Sequence, residues 1–229
     1  MHIMLNQSHT PPSSTHTIPS KRLQAFFQGW RPAVKTLMMA CLVGHMGMAM
    51  ADFKGENPMK ETREAAAAML KELGHRLQTA MADGGPVNAI GVCHTEAPAI
   101  AARISSEERI TIARVGTRVR NPVLGVPNDW QIEAMKIFAD ALAKGQNPAE
   151  LEFVQAVKAG SGSRMELRFA KPIVTQAMCL ACHGSPEEIQ PEVKAKLDQL
   201  YPDDRATGYK VGELRGALVV SRFIGYNIN

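Results

Sequence analysis

Residues 179–183 read Cys179-Leu180-Ala181-Cys182-His183, a C-x-x-C-H run. This is the attachment signature of c-type haem. The spacing has a chemical cause. Two thiols must reach the two vinyl groups of one porphyrin, and the next residue must set an imidazole nitrogen beneath the iron. Two rival readings use parts of the run. A thioredoxin-like dithiol would follow a strand in a parallel βαβ setting, which the flanking sequence does not offer. A structural zinc site needs four ligands. Beyond residue 51, only Cys93, His94 and His75 remain to complete one.

The first 51 residues contain no Asp or Glu, and their cations are Lys21, Arg22, Arg31 and Lys35. A mostly apolar stretch, Thr36 to Ala49, then runs into Ala49-Met50-Ala51. Charged region, short apolar region and small residues at the cut describe a secretory signal peptide over 1–51. Gly44, His45 and Gly47 interrupt the apolar stretch, which is also short for a bilayer span. An uncleaved anchor and a lipoprotein signal ending at Cys41 are the alternatives, and the unusually long charged region suggests a true start nearer Met38 or at a residue upstream of it. In Gram-negative bacteria covalent haem attachment takes place outside the inner membrane. The expected location is therefore the periplasm, with the cytochrome c maturation machinery as a partner.

Cleavage would remove four of the 26 Lys and Arg and none of the 22 Asp and Glu, leaving residues 52–229 with net charge 0. That balance gives no basic surface for nucleic acid or anionic lipid. At about 180 residues, 52–229 has single-domain length and can bury roughly 70% of its unfolded surface. Cys93 is then left without a partner in an oxidising compartment.

Periodicity predicts a helix from Met59 to about Ala82, stopped by Gly84-Gly85-Pro86, with Ala66, Leu70, Leu73, Leu77 and Met81 on one stripe. A second helix has Pro98 in its first turn. Ile110–Val115 reads as a strand and 118–127 as a loop. Asn128 or Asp129 caps a third helix ended by Gly145. Two strands follow, joined at Gly160-Ser161-Gly162. In the second, Met165, Leu167 and Phe169 alternate with Arg164, Glu166 and Arg168. The C-x-x-C-H run sits on a short helix or turn. Ser185-Pro186-Glu187-Glu188 is expected to open another helix. The last strand, 216–223, is apolar on both faces and hence central. The mixture is α+β with an antiparallel sheet.

If haem is bound, His183 is the proximal ligand. The sixth position falls first to Cys93, which precedes the second helix, where the partial positive charge favours thiolate. His94 is the alternative, with the methionines Met59, Met69, Met81, Met135, Met165 and Met178 behind it. His75, beside Arg76, reads as a solvated histidine. Arg118 and Arg120 are candidates for the haem propionates, and Arg168 less so.

Several of these residues recur together in a known pattern. Ala89-Ile90-Gly91-Val92-Cys93, Ala97-Pro98-Ala99-Ile100-Ala101, Arg120-Asn121-Pro122, Pro127, Trp130, residues 178–184 and Gly216-Ala217-Leu218-Val219-Val220 resemble the PAS-like c-type haem domain family of bacteria and cyanobacteria. The resemblance covers about 60 to 229. It implies one haem against a PAS-like antiparallel sheet with flanking helices, and His183 and Cys93 as axial ligands. The chain departs from the family at 123–126, where an Asn is common between the prolines, and at Gln131, where Glu is usual. Domains of this family occur alone and as exported sensor modules ahead of kinase or cyclase domains. The first functional expectation is a periplasmic haem-based redox or gas sensor that reports to a separate redox or signalling protein. An electron-transfer cytochrome is the second and a peroxidase-type enzyme the third. The long first helix could also pair across a homodimer.

Overall fold

The computed structural model describes residues 57–225, so the leader expected over 1–51 lies outside the described residues. Among them no helix is long and apolar enough to cross a membrane. The first helix, α1, spans Pro58–Gly91. Pro58 sits in its first turn, and the Asn57 side chain accepts from the Lys60 N–H at 3.0 Å. The expected stop at Gly84-Gly85-Pro86 is a break instead. Gly84 and Gly85 leave helical geometry, Gly85 at φ 68°, and the helix resumes beyond them. The Asn88 side chain donates back across the break to the Ala80 carbonyl at 3.3 Å. One π-helical turn, Val92–Glu96, then leads without a gap into α2, Ala97–Glu108.

Four strands form one antiparallel sheet: β1 Thr111–Gly116, β2 Phe153–Lys158, β3 Met165–Val174 and β4 Leu214–Ile224, in the order β1-β4-β3-β2. β4 is central, as its two apolar faces required. One sheet face carries Ile112, Phe169, Leu218 and Val220 against α1 and α2. The other carries Val115, Ala170, Ala217 and Val219 against α3, Asp129–Ala143. Each large side chain so buried stabilises the fold by roughly 1.5–3 kcal/mol. The alternation expected for β3 appears in its buried Leu167 and Phe169, while Glu166 and Arg168 pair at 2.9 Å. The architecture is α+β with a long N-terminal helix.

Asn128 and Gln131 form a reciprocal capping box at α3. Gln131 thus helps to fix the start of α3. The helix expected from Ser185 does not form there. Residues 185–189 make a tight turn, with the Glu188 and Ile189 N–H groups both donating to the Ser185 carbonyl. The helix, α5, begins at Pro191 and runs to Leu200. Pro191 forces Gln190 into extended geometry (φ −56°, ψ 141°), so no helix can cross that point. Ile189 packs with Val193, Leu197, Tyr201 and Ile90 instead.

Candidate functional site

The C-x-x-C-H run lies on a 3-10 turn, Ala177–Cys179, followed by the one-turn helix α4, Leu180–His183. Cys182 packs with the α5 cluster, which also holds Ile90 from the end of α1. The break at Gly84-Gly85 therefore brings the last turns of α1 beside the run. Burial pushes the Cys182 thiol up to about 11 in spite of Arg120 nearby.

A cavity of about 290 Å³ lies between this segment, α1 and the sheet. Leu70, Leu73, Gly74, Leu77 and Met81 line one side at helical spacing, which is much of the apolar stripe read from the sequence. An adjoining cavity of about 120 Å³ opens toward the 118–125 loop. The two share walls of Cys93, Arg114, Arg120, His183, Tyr201 and Arg215. Their volumes together match a small cofactor pocket (roughly 300–1,000 Å³).

His183 is oriented by residues 204–209, which form a strap beside it. Its Nδ1 lies 2.7 Å from the Ala206 carbonyl, which can only accept, so Nδ1 carries the proton and Nε2 keeps a lone pair. The Tyr209 N–H donates to the His183 carbonyl at 2.9 Å and the Gly208 N–H to that of Gly184 at 2.6 Å. Two guanidinium groups stand at Nε2, Arg215 Nη1 at 3.3 Å and Arg120 Nη1 at 3.5 Å. Burial first, then the Arg120 and Arg215 charges, hold this imidazole well below its usual range, so it is neutral near pH 7.

Cys93 reaches the same cavities from the π-helical turn. It is not at a free helix N-terminus. The Val92 and Ala97 N–H groups are bonded to the Ala89 and Val92 carbonyls, so the dipole argument for thiolate at this position does not hold. His94 is exposed and meets the edge of the Tyr201 ring at 5.2 Å, outside the cavity linings. His75 is exposed on α1. Of the methionines, Met81 and Met178 line the larger cavity.

The arginines divide into two kinds. Arg120 donates to Asp204 at 2.9 Å and to the Cys182 carbonyl at 2.5 Å, and so ties the run to the strap. Arg118 pairs with Glu213, donates to the Thr207 carbonyl at 2.6 Å and covers the Tyr209 ring at 4.0 Å. Arg168 lies near Trp130, away from the cavity linings. Arg114 and Arg215 were not singled out by the sequence, yet both line both cavities. Arg215 has a structural reason to be there. Ile173 pairs with Gly216 and Val174 with Leu214, so Arg215 is the extra residue of a β-bulge, a device that re-aims a side chain.

This combination of sheet and helical cover has known counterparts. The family model described as Tll0287-like matches residues 46–222, most of the chain. The chain belongs to the Tll0287-like family. Its fold is also similar to the crystal structure of the cyanobacterial heme-protein Tll0287, with a TM-score of 0.57 and 24% sequence identity. That match covers 72% of this chain and 96% of that chain. No curated protein matches it. The family resemblance read from the sequence is thus borne out, with its α+β architecture.

The donor set itself fits a porphyrin. Two thiols stand with two residues between them on one short segment, and an imidazole follows with its Nδ1 pinned. Cys93 comes from a separate element of the same cavity. The Arg215 Nε atom is buried with no partner among the described residues. A lone pair, thiols and an unmatched guanidinium thus meet at one cavity.

Proposed function

We propose that this chain is an exported monohaem c-type protein of the periplasm that serves as a haem-based redox or gas sensor module. Cys179 and Cys182 hold the porphyrin through thioether bonds. His183 is the proximal ligand and Cys93 the distal one. Bound haem would supply an iron centre that changes oxidation state and ligation. The protein's part is to fix the imidazole through the Ala206 carbonyl, to exclude water with the α1 stripe, and to present Cys93 opposite.

The observation that carries this reading is that Cys93 and His183 line one cavity from separate elements. Membership of a family that includes a heme-protein supports it. The sensor role is favoured by the seat of Cys93. A π-helical turn is a local register defect, often found at functional sites. Release of a ligand there gives the α1–α2 layer a route to rearrange. The partners would be the cytochrome c maturation machinery and a protein that reads the state.

A second reading, an electron carrier, has its own support. Val123 is 85% exposed and Leu124, which lines the smaller cavity, is 53% exposed. An apolar loop at a cofactor's edge suits brief docking of a redox partner.

Pyridine haemochrome spectra and intact mass of the exported protein test the cofactor, and a chain without one covalent haem ends this reading. Ferric and ferrous spectra of wild type beside Cys93→Ser test the ligand. Loss of a thiolate signature in the ferric variant is expected, and His94→Ala should keep it. Carbon monoxide binding on reduction is the sensor outcome. A six-coordinate ferrous form that ignores the gas points to electron transfer.

A further inference from the structure

We propose that Arg114 and Arg215 form the carboxylate-binding end of the cavity and hold the haem propionates. The assignment rests on the haem reading above and concerns which residues meet the cofactor's charged edge. Arg114 lies on β1 two residues from Ile112, and so on the sheet face that α1 and α2 cover. The bulge in β4 delivers Arg215 to the same cavities. Among the described residues neither makes an ion pair, whereas Arg118 and Arg120 are matched to Glu213 and Asp204. The Arg215 Nε is buried and unpartnered among the described residues. Guanidinium groups gathered in a cavity without an anion are costly, because desolvation is not offset by an opposite charge. Their planar forks match carboxylates. Haem carries two carboxylates on one edge, so it supplies what these groups lack.

The test uses the haem-loaded protein and the variants Arg215→Gln, Arg215→Lys and Arg114→Gln. The readouts are the resonance Raman propionate bending bands and the midpoint potential. The two glutamine variants are expected to shift the propionate bands and lower the potential, because a cation that favours the reduced haem is gone. Arg215→Lys should shift the bands while keeping the potential close to wild type. If Arg215→Gln does not mature, Arg215→Lys and Arg114→Gln carry the test. Covalent haem with bands and potential unchanged in every variant overturns the assignment and leaves the haem reading standing. Wild type without covalent haem overturns the reading beneath it. Bands unchanged in the variants, with a wild-type spectrum that responds to added acetate, would assign the pair to a free carboxylate and also overturn the proposal.

Discussion

His183 illustrates how a single side chain is prepared before any cofactor arrives. Its Nδ1–H is committed to the Ala206 carbonyl, and burial with Arg120 and Arg215 keeps the ring neutral. The folded value lies well below 6.5, so the stability tied to the neutral ring is present above 6.5 and is lost as pH falls through the folded value. In the haem-free chain, protonation of this ring is accordingly expected well below pH 6.5, followed by NMR of the imidazole protons. A transition centred near 6.5 would mean that the pocket does nothing to this imidazole. The identity of His183 was legible because the C-x-x-C-H spacing is local. Cys93 was legible as a leftover thiol, although the dipole reason given for it fails, since the helix does not begin there. Arg114 had a readable signal, a charge sharing the parity of Ile112 in a strand. Arg215 had none, because a bulge depends on how β3 and β4 pair and not on either strand alone.

At the scale of elements, the same distinction separates what local chemistry decides from what packing decides. Strand alternation, the Asn128 cap and the central place of β4 are set by near neighbours, and the sequence showed them. Gly84-Gly85-Pro86 signals a stop just as plainly. The helix continues beyond it because Ala89 and Ile90 find buried partners in two different clusters, which no local pattern reveals. Ser185-Pro186 carried a sound start signal, but Pro191 overrode it five residues later. The pairing of β1 with β4 sets Gly116 opposite Gly216. A Cβ at Gly216 would fall 2.0 Å from the Val115 carbonyl oxygen, so the backbones approach too closely for any side chain. Gly216→Ala should therefore cost about 1–3 kcal/mol. For a domain of this size each kcal/mol lowers the thermal midpoint by roughly 2–4 °C. A calorimetric midpoint equal to wild type would show that the two strands can part without penalty.

Across the whole molecule, the candidate iron ligands belong to different layers. His183 is fixed to the strap over residues 204–209 and, through Arg120, to Asp204. Cys93 belongs to the helical cover formed by α1 and α2, whose buried stripe rests on the opposite side of the same cavity. A bond from iron to both would join the cover to the segment proposed to hold the porphyrin, and such a link would stabilise the native state because the unfolded chain cannot make it. Thiolate donation favours ferric iron, so the link is strongest in the oxidised protein. The ferric form should then resist denaturant better than the ferrous form. A difference of about 1 kcal/mol is enough to separate their thermal midpoints by roughly 2–4 °C. Cys93→Ser removes the link in both states, so the gap between oxidised and reduced midpoints should close in that variant while the haem stays attached through Cys179 and Cys182. Paired melts of wild type and Cys93→Ser under oxidising and reducing conditions measure this directly. Equal wild-type midpoints, or a gap that survives the substitution, would show that the state of the iron is not transmitted to the helical layer through this cysteine, and the carrier reading would then outrank the sensor.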